Sequence, residues 1–424
     1  MIRWRSSASL VLLSSVLGAL ATVSPTAAQV AGPTLIPESL ARRHGLTRVW
    51  AAQLLLDPGR GKLTDVTIHE GLLVASTEQG FIQALDAETG RTVWKVKIGR
   101  RELVNGPVGA SSKYVAATNG SNLYILDRKD GRELMVRRLE GAPGAAPVLN
   151  DTRVYVPTID GAIESYALNF KNAHLRATTY RSESTIDEAP LIAGSNVVWA
   201  THRGWVYSAE EETLKANFKF RTRGMITAGL SYRPPLIYTA SADGYIYAID
   251  EKTGARRWQF STGFPVRNTP VALGDSVYAI PELNGMYCLT ADHGAIRWYS
   301  RDVTQFISAS ATRLYTEDEA GQMLILDARS GGQIDVLPTQ TLPIKVHNVQ
   351  TDRIYLATEK GMVQCLREVG QVRPLSHAFA PVVPAAGAKP GTPAVPAEGA
   401  EPAMEGDAPV DPADAKDDPF ATPG

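Results

Sequence analysis

The chain has 424 residues, is 44% hydrophobic and 21% charged, and carries a formal charge of −1. That balance is the one expected of a soluble globular protein with ample length for a large core. A net charge so near zero leaves no electrostatic case for nucleic acid as a partner.

At the N-terminus, Arg3 and Arg5 precede an apolar run, "LVLLSSVLGALATV", and the small residues of "SPTAAQ" follow. This is the pattern of a cleaved export signal, expected to cover 1–28 with the cut after Ala28, ahead of a lead-in at 29–44. Ser14, Ser15 and Gly18 interrupt the run, which is short for a membrane span. No cysteine lies near the cut to accept a lipid, and no later stretch is long and apolar enough to cross a bilayer.

From residue 45 the chain repeats itself. "STEQGFIQALDAETGRTVW", "SADGYIYAIDEKTGARRW" and "PELNGMYCLTADHGAIRW" share one skeleton. Each copy opens with an alternating run that reads as a half-buried strand. A turn then ends in glycine, at Gly80, Gly120, Gly161, Gly204, Gly244, Gly285, Gly321 and Gly361. A second strand follows and ends in a column read as Leu85, Leu126, Leu168, Ala209, Ile249, Leu289, Leu326 and Leu366. The next position carries Asp86, Asp127, Asn169, Glu210, Asp250, Thr290, Asp327 and Arg367. Asp250–Gly254 forms a second turn: the carboxylate bonds to amides ahead of it and Gly254 takes a left-handed conformation, as Gly90 does in the first copy. Four residues on comes an aromatic slot with Trp94, Phe218, Trp258 and Trp298, or else Met135, Ala177 and Asp335, placed to pack between neighbouring sheets.

A period near 40 residues with several short strands per unit predicts an all-β fold, an eight-bladed β-propeller over 45–372. "GLTRVW" (45–50) has no blade of its own, and the last copy lacks its aromatic strand. The N-terminal strand, ending at Trp50, is therefore expected to complete blade eight and close the ring. Residues 373–424 are rich in Pro, Ala, Gly and acids, and read as a disordered, semi-extended acidic tail.

The repeat, x-D-G-x-I-Y-A-I-D-x-x-T-G-x-x-x-W, resembles that of the pyrroloquinoline-quinone-like propellers across 45–372. One branch of that family contains quinoprotein dehydrogenases, longer enzymes of which many carry an adjacent cysteine pair; Cys288 and Cys365 are not adjacent. The other is the compact, non-enzymatic BamB-like branch of the outer-membrane β-barrel assembly machinery, which this chain resembles in size, blade number and export signal. That branch usually carries a lipid on an N-terminal cysteine, which has no counterpart here. The resemblance implies a monomeric propeller in the periplasm or cell envelope, peripheral to the outer membrane, with an envelope protein as partner. It implies no cofactor, with pyrroloquinoline quinone the alternative.

The residues offer little chemistry of their own. Cys288 and Cys365 share a column of small or apolar residues two blades apart, so two buried free thiols are expected. The seven histidines show no metal-ligand spacing. The recurrent aspartates cap turns, since an active site is built once and these return in half the copies. Gly80, Asp86, Gly90, Trp94, Gly244, Asp250, Gly254, Trp258, Gly285 and Trp298 are thus read as structural. No catalytic, cofactor-binding or metal-binding residue is expected. Blade three loses both the turn glycine and the aromatic, at Ala173 and Ala177. Its irregular stretch offers Phe170, Lys171, Arg176, Tyr180 and Arg181 as an interaction edge, or else it records drift in a tolerant blade. The function expected is a surface-binding envelope scaffold. The alternatives are a quinone-dependent dehydrogenase or a propeller binding a quinone, a carbohydrate or another small molecule.

Overall fold

The computed structural model describes residues 35–56, 61–170, 176–283 and 285–377. The expected signal at 1–28, Lys171, Ala173 and the tail from 378 onward lie outside the described residues. The rest forms eight four-stranded antiparallel sheets, one per repeat. Blade five shows the plan: Ser231–Arg233, Leu236–Ala240, Tyr245–Asp250 and Arg256–Ser261, called strands A to D in sheet order. From blade two to blade six the first strands of successive blades meet, so the A strands lie toward the axis and the D strands form the rim. Because strand direction alternates, the B–C turns and the D-to-A loops share one face, and the A–B and C–D turns share the other.

The eighth sheet is composite. Leu46–Gln53 supplies its outer strand against Met362–Glu368, with Trp50 opposite Cys365. The N-terminal strand does close the ring, and it runs three residues beyond Trp50. The short helix Glu38–Arg43 precedes it. The helix buries Ala41 in the seam between blades seven and eight, in one cluster with Ile325, Leu337 and Leu366. Glu38 anchors its start by accepting from Thr47 Oγ1 at 2.7 Å and Arg48 N at 3.1 Å.

The repeat columns are now contacts. Strand D slips register by one residue opposite the C-strand column, for example between Ala248 and Ile249. The same bulge recurs in every blade but the third, and in blades one, four, five, six and eight it sets an aromatic ring of strand D against a small residue of strand C. Trp94 faces Ala84, Trp258 faces Ala248 and Trp298 faces Cys288. Each ring then lies on the turn glycine of the next blade. A Cβ on Gly294 would sit 2.5 Å from Trp258, and one on Gly254 would sit 2.4 Å from Phe218. The indole N–H donates to that same turn, Trp258 to Ala291 O at 2.8 Å and Trp50 to Ala87 O at 3.0 Å. The glycine is therefore required twice, for its left-handed backbone and for the ring that covers it. The aspartates cap the turn as expected: Asp86 Oδ1 accepts from Thr89 N at 2.8 Å, and Asp250 Oδ1 from Thr253 N at 2.9 Å.

Blade three departs from its expected alignment. Val154 pairs with Tyr166 and Arg153 with Ala167, so these residues hold the columns assigned to Leu168 and Asn169. The aromatic slot falls to Thr178, opposite Ser165, rather than to Ala177. With no ring to cover it, the next turn carries Leu214 in place of glycine, left-handed at φ 54° and buried. The leucine side chain joins Tyr155, Trp199 and Tyr207 in the space between the blades. Blade seven has Asp335 in the slot, and it pairs with His44 Nδ1 at 2.6 Å beside the N-terminal helix.

Residues 373–377, expected to begin the tail, belong to the fold. Leu375 O accepts from Asp352 N at 3.2 Å, His377 N donates to Gln350 O at 2.8 Å, and Ser376 bridges Thr351. Beneath them Arg353 is fully buried, bonded to Glu88 of blade one at 3.0 Å, to Asp352 at 3.0 Å and to Val372 O at 3.1 Å. This segment crosses the A–B turn of blade eight.

Candidate functional site

The opposite face, that of the B–C turns and D-to-A loops, is built to hold side chains in fixed positions. Each loop is tied to the turn of the next blade. His202 N donates to Thr185 O at 3.0 Å, Ala242 N to Met225 O at 2.8 Å, and Glu282 N to Pro265 O at 2.9 Å. Buried Ile186, Ile226 and Val266 root the three loops. Thr222 and Thr262 brace the loops they open, donating to Gly224 O and Phe264 O at 2.7 Å each. On this frame Met225, Phe264 and Leu283 stand 44%, 38% and 64% exposed around blades four to six. Exposed apolar groups on a braced backbone are what an interface core requires.

Some of the polar groups around them are paired. Arg181 pairs with Asp160 at 2.6 Å, His202 with Asp187 at 2.8 Å, and Arg267 with Glu282. Thr158, and then Arg181, hold the Asp160 carboxyl below its usual range. Glu188 is pushed the other way, by burial and by Asp187 beside it. Asp243 is fixed by Arg223 N at 3.0 Å and by the Tyr247 hydroxyl at 2.7 Å.

The five residues singled out in blade three do not form one edge. Phe170 packs edge-on against Tyr114 of blade two at 5.4 Å. Tyr180 packs against Trp199 and Tyr207 of blade four at 5.3 and 5.8 Å. Arg181 is engaged with Asp160. Arg176 is exposed, and Lys171 lies outside the described residues. Two of the aromatics thus serve opposite seams of their blade. What sequence reasoning missed is the trio at 225, 264 and 283. For Met225 and Phe264 the available signal was an apolar residue inside a loop containing Gly, Arg and Thr, and for Leu283 a leucine within the turn "PELNG".

Cys288 and Cys365 are buried free thiols, and burial pushes Cys288 up to about 11 and Cys365 higher still. Neither yields a thiolate nucleophile at neutral pH. Among the described residues no group of His, Cys, Asp and Glu is arranged to hold a metal ion, and no helix is long and apolar enough to cross a membrane.

Comparison with known proteins agrees with this architecture. The family model described as "Outer membrane protein assembly factor BamB" matches residues 78–213 and 196–354, which together run through more than half of the chain. Outer membrane protein assembly factor BamB of Shewanella oneidensis is 26% identical over 46% of this chain and 52% of its own length. The protein of the same name from Burkholderia pseudomallei is 23% identical over 59% of this chain and 58% of its own. The chain therefore aligns with little more than half the length of these curated relatives. The crystal structure of BamB from Moraxella catarrhalis superimposes with a TM-score of 0.61 at 19% identity, covering 76% of this chain and 97% of that one. The computationally designed Ika8 protein does so with a TM-score of 0.60 at 15% identity, covering 74% and 99%. At such identities these two likenesses speak to the fold alone. The repeat, the closed ring of eight blades and the extent of the family match together make this chain a member of the outer membrane protein assembly factor BamB family.

Proposed function

We propose that the chain is an exported, non-catalytic scaffold of the cell envelope, which works without a quinone and docks a protein partner of outer-membrane assembly on its loop-bearing face. The observation that carries this reading is the apolar trio Met225, Phe264 and Leu283, exposed on loops and turns whose backbone is bonded from blade to blade. A braced surface of this kind loses little entropy when it binds, so a few apolar anchors can supply most of the affinity. The shared name of the relatives supports the choice of process.

The test is site-specific photocrosslinking from position 264 in intact envelopes. Recovery of a component of the outer-membrane assembly machinery, lost when Met225 and Leu283 are changed to Ser, is the expected result. Dye-linked alcohol oxidation after reconstitution with pyrroloquinoline quinone and calcium would overturn the scaffold reading.

A further inference from the structure

We propose that the rim of blade two carries a separate binding site for an acidic peptide segment. It does not rest on the docking trio described above. A cleft of about 470 Å³ opens there, lined by Arg100, Leu103, Asn119, Tyr124, Val136 and Arg138 among others.

The cleft is built around one buried side chain. Asn119 is 0% exposed, and its amide is committed to the loop that carries Arg100. Its Oδ1 accepts from Arg100 N at 2.9 Å, while its Nδ2 donates to Arg100 O at 3.0 Å and to Asn105 Oδ1 at 2.8 Å. Gly99 permits this approach, since a Cβ there would stand 2.0 Å from Asn119 Oδ1. The backbone of Arg100 is thus fixed before any ligand arrives. Arg138 is held at the end of strand D, in register with Asn122.

Both guanidinium groups are exposed, and among the described residues neither has an ion-pair or hydrogen-bond partner. Some arginines on this face are paired, as Arg181 is with Asp160 and Arg267 with Glu282, while Arg203, Arg223 and Arg301 are, like these two, exposed and without a side-chain hydrogen-bond or ion-pair partner among the described residues. Apolar ground lies beside them: Val104 is 83% exposed, and Leu103 and Val136 are open as well. Two unmatched guanidiniums beside aliphatic surface fit carboxylates that flank an aliphatic side chain, because the planar fork of Arg donates two parallel bonds to a carboxylate. Strand D is also the outermost of its sheet, so an extended segment can lie along a free edge. The cleft therefore selects a peptide over a small dicarboxylate.

The experiment uses the full chain and a fluorescein-labelled hexapeptide of alternating Glu and Leu, read by fluorescence anisotropy. Saturable binding is expected, weakened by added salt and about fivefold weaker in each of Arg100→Glu and Arg138→Glu. Both side chains are exposed, so the melting temperature of either variant should be unchanged. The same peptide with Gln for Glu, tested on the unaltered protein, needs no variant and should not saturate. Any of four results overturns the proposal: no saturable binding, equal binding of the Gln peptide, unchanged binding by a folded double variant, or displacement by succinate as effective as by unlabelled peptide.

Discussion

Replacing Gly294 by alanine tests the seat on which the aromatic rings lie. The residue has φ 69°, a backbone that costs an alanine about 1 kcal/mol. Its new Cβ would stand 2.5 Å from the ring of Trp258, and overpacking of that kind costs about 2 kcal/mol more. Gly294→Ala should therefore destabilise by about 3 kcal/mol. Trp258→Ala alone should cost about 4 kcal/mol in lost burial. It orphans no acceptor, because Ala291 O keeps the Tyr238 hydroxyl at 3.1 Å. With the ring gone, Gly294→Ala retains only its backbone strain, about 1 kcal/mol. The double variant should then fall about 2 kcal/mol short of the sum of the single ones. Equilibrium urea unfolding of all four proteins measures this coupling. Strict additivity would refute the claim that ring and glycine answer to each other.

Leu214→Gly should lower stability by about 2–4 kcal/mol in the same assay, although it removes a non-glycine residue from a left-handed backbone at φ 54°, because the buried side chain fills a space no ring occupies. Arg353→Met should cost about 3–5 kcal/mol, since it leaves Asp352 buried without its cation, and Arg353→Met with Asp352→Asn should recover part of that loss in thermal melts. Asp250, held down to about 2 by Thr253 first of all, contributes stability that is complete above its ordinary 3.8 and is lost as pH falls toward 2. After allowance for screening at the exposed Arg257, that contribution is about 1 kcal/mol, and the acid limb of the unfolding curve should flatten by that much in Asp250→Asn.

The blade count and the ring closure were legible because each rests on a contact that recurs. Gly254, Trp258 and their counterparts repeat in the sequence because every seam needs the same ring on the same turn. The C strand of blade three lies two residues from the expected register for a related reason. Moving a strand by two keeps every side chain on its own face, so alternation does not separate Leu168 from Tyr166, and the leucine matches the column of the other copies. The ties made once were not legible at all. Arg353 to Glu88, and the helix at 38–43 in the seam of blades seven and eight, join residues far apart in the chain and leave no period behind them. The docking trio was hidden differently, because an exposed apolar residue in a loop looks ordinary until its neighbours are known.

The composite eighth blade has a consequence for how the ring assembles. Leu46 pairs with Glu368, so the first strand to be made must wait for the last. Until then its hydrogen-bonding edge has no partner, and the closing contact joins residues more than 300 positions apart, which slows folding. A circular permutant that joined residues 377 and 35 through a linker and opened the chain in the loop between blades four and five would make blade eight contiguous. It would form that blade early and move the late closing step to a seam already sealed by Phe218 on Gly254.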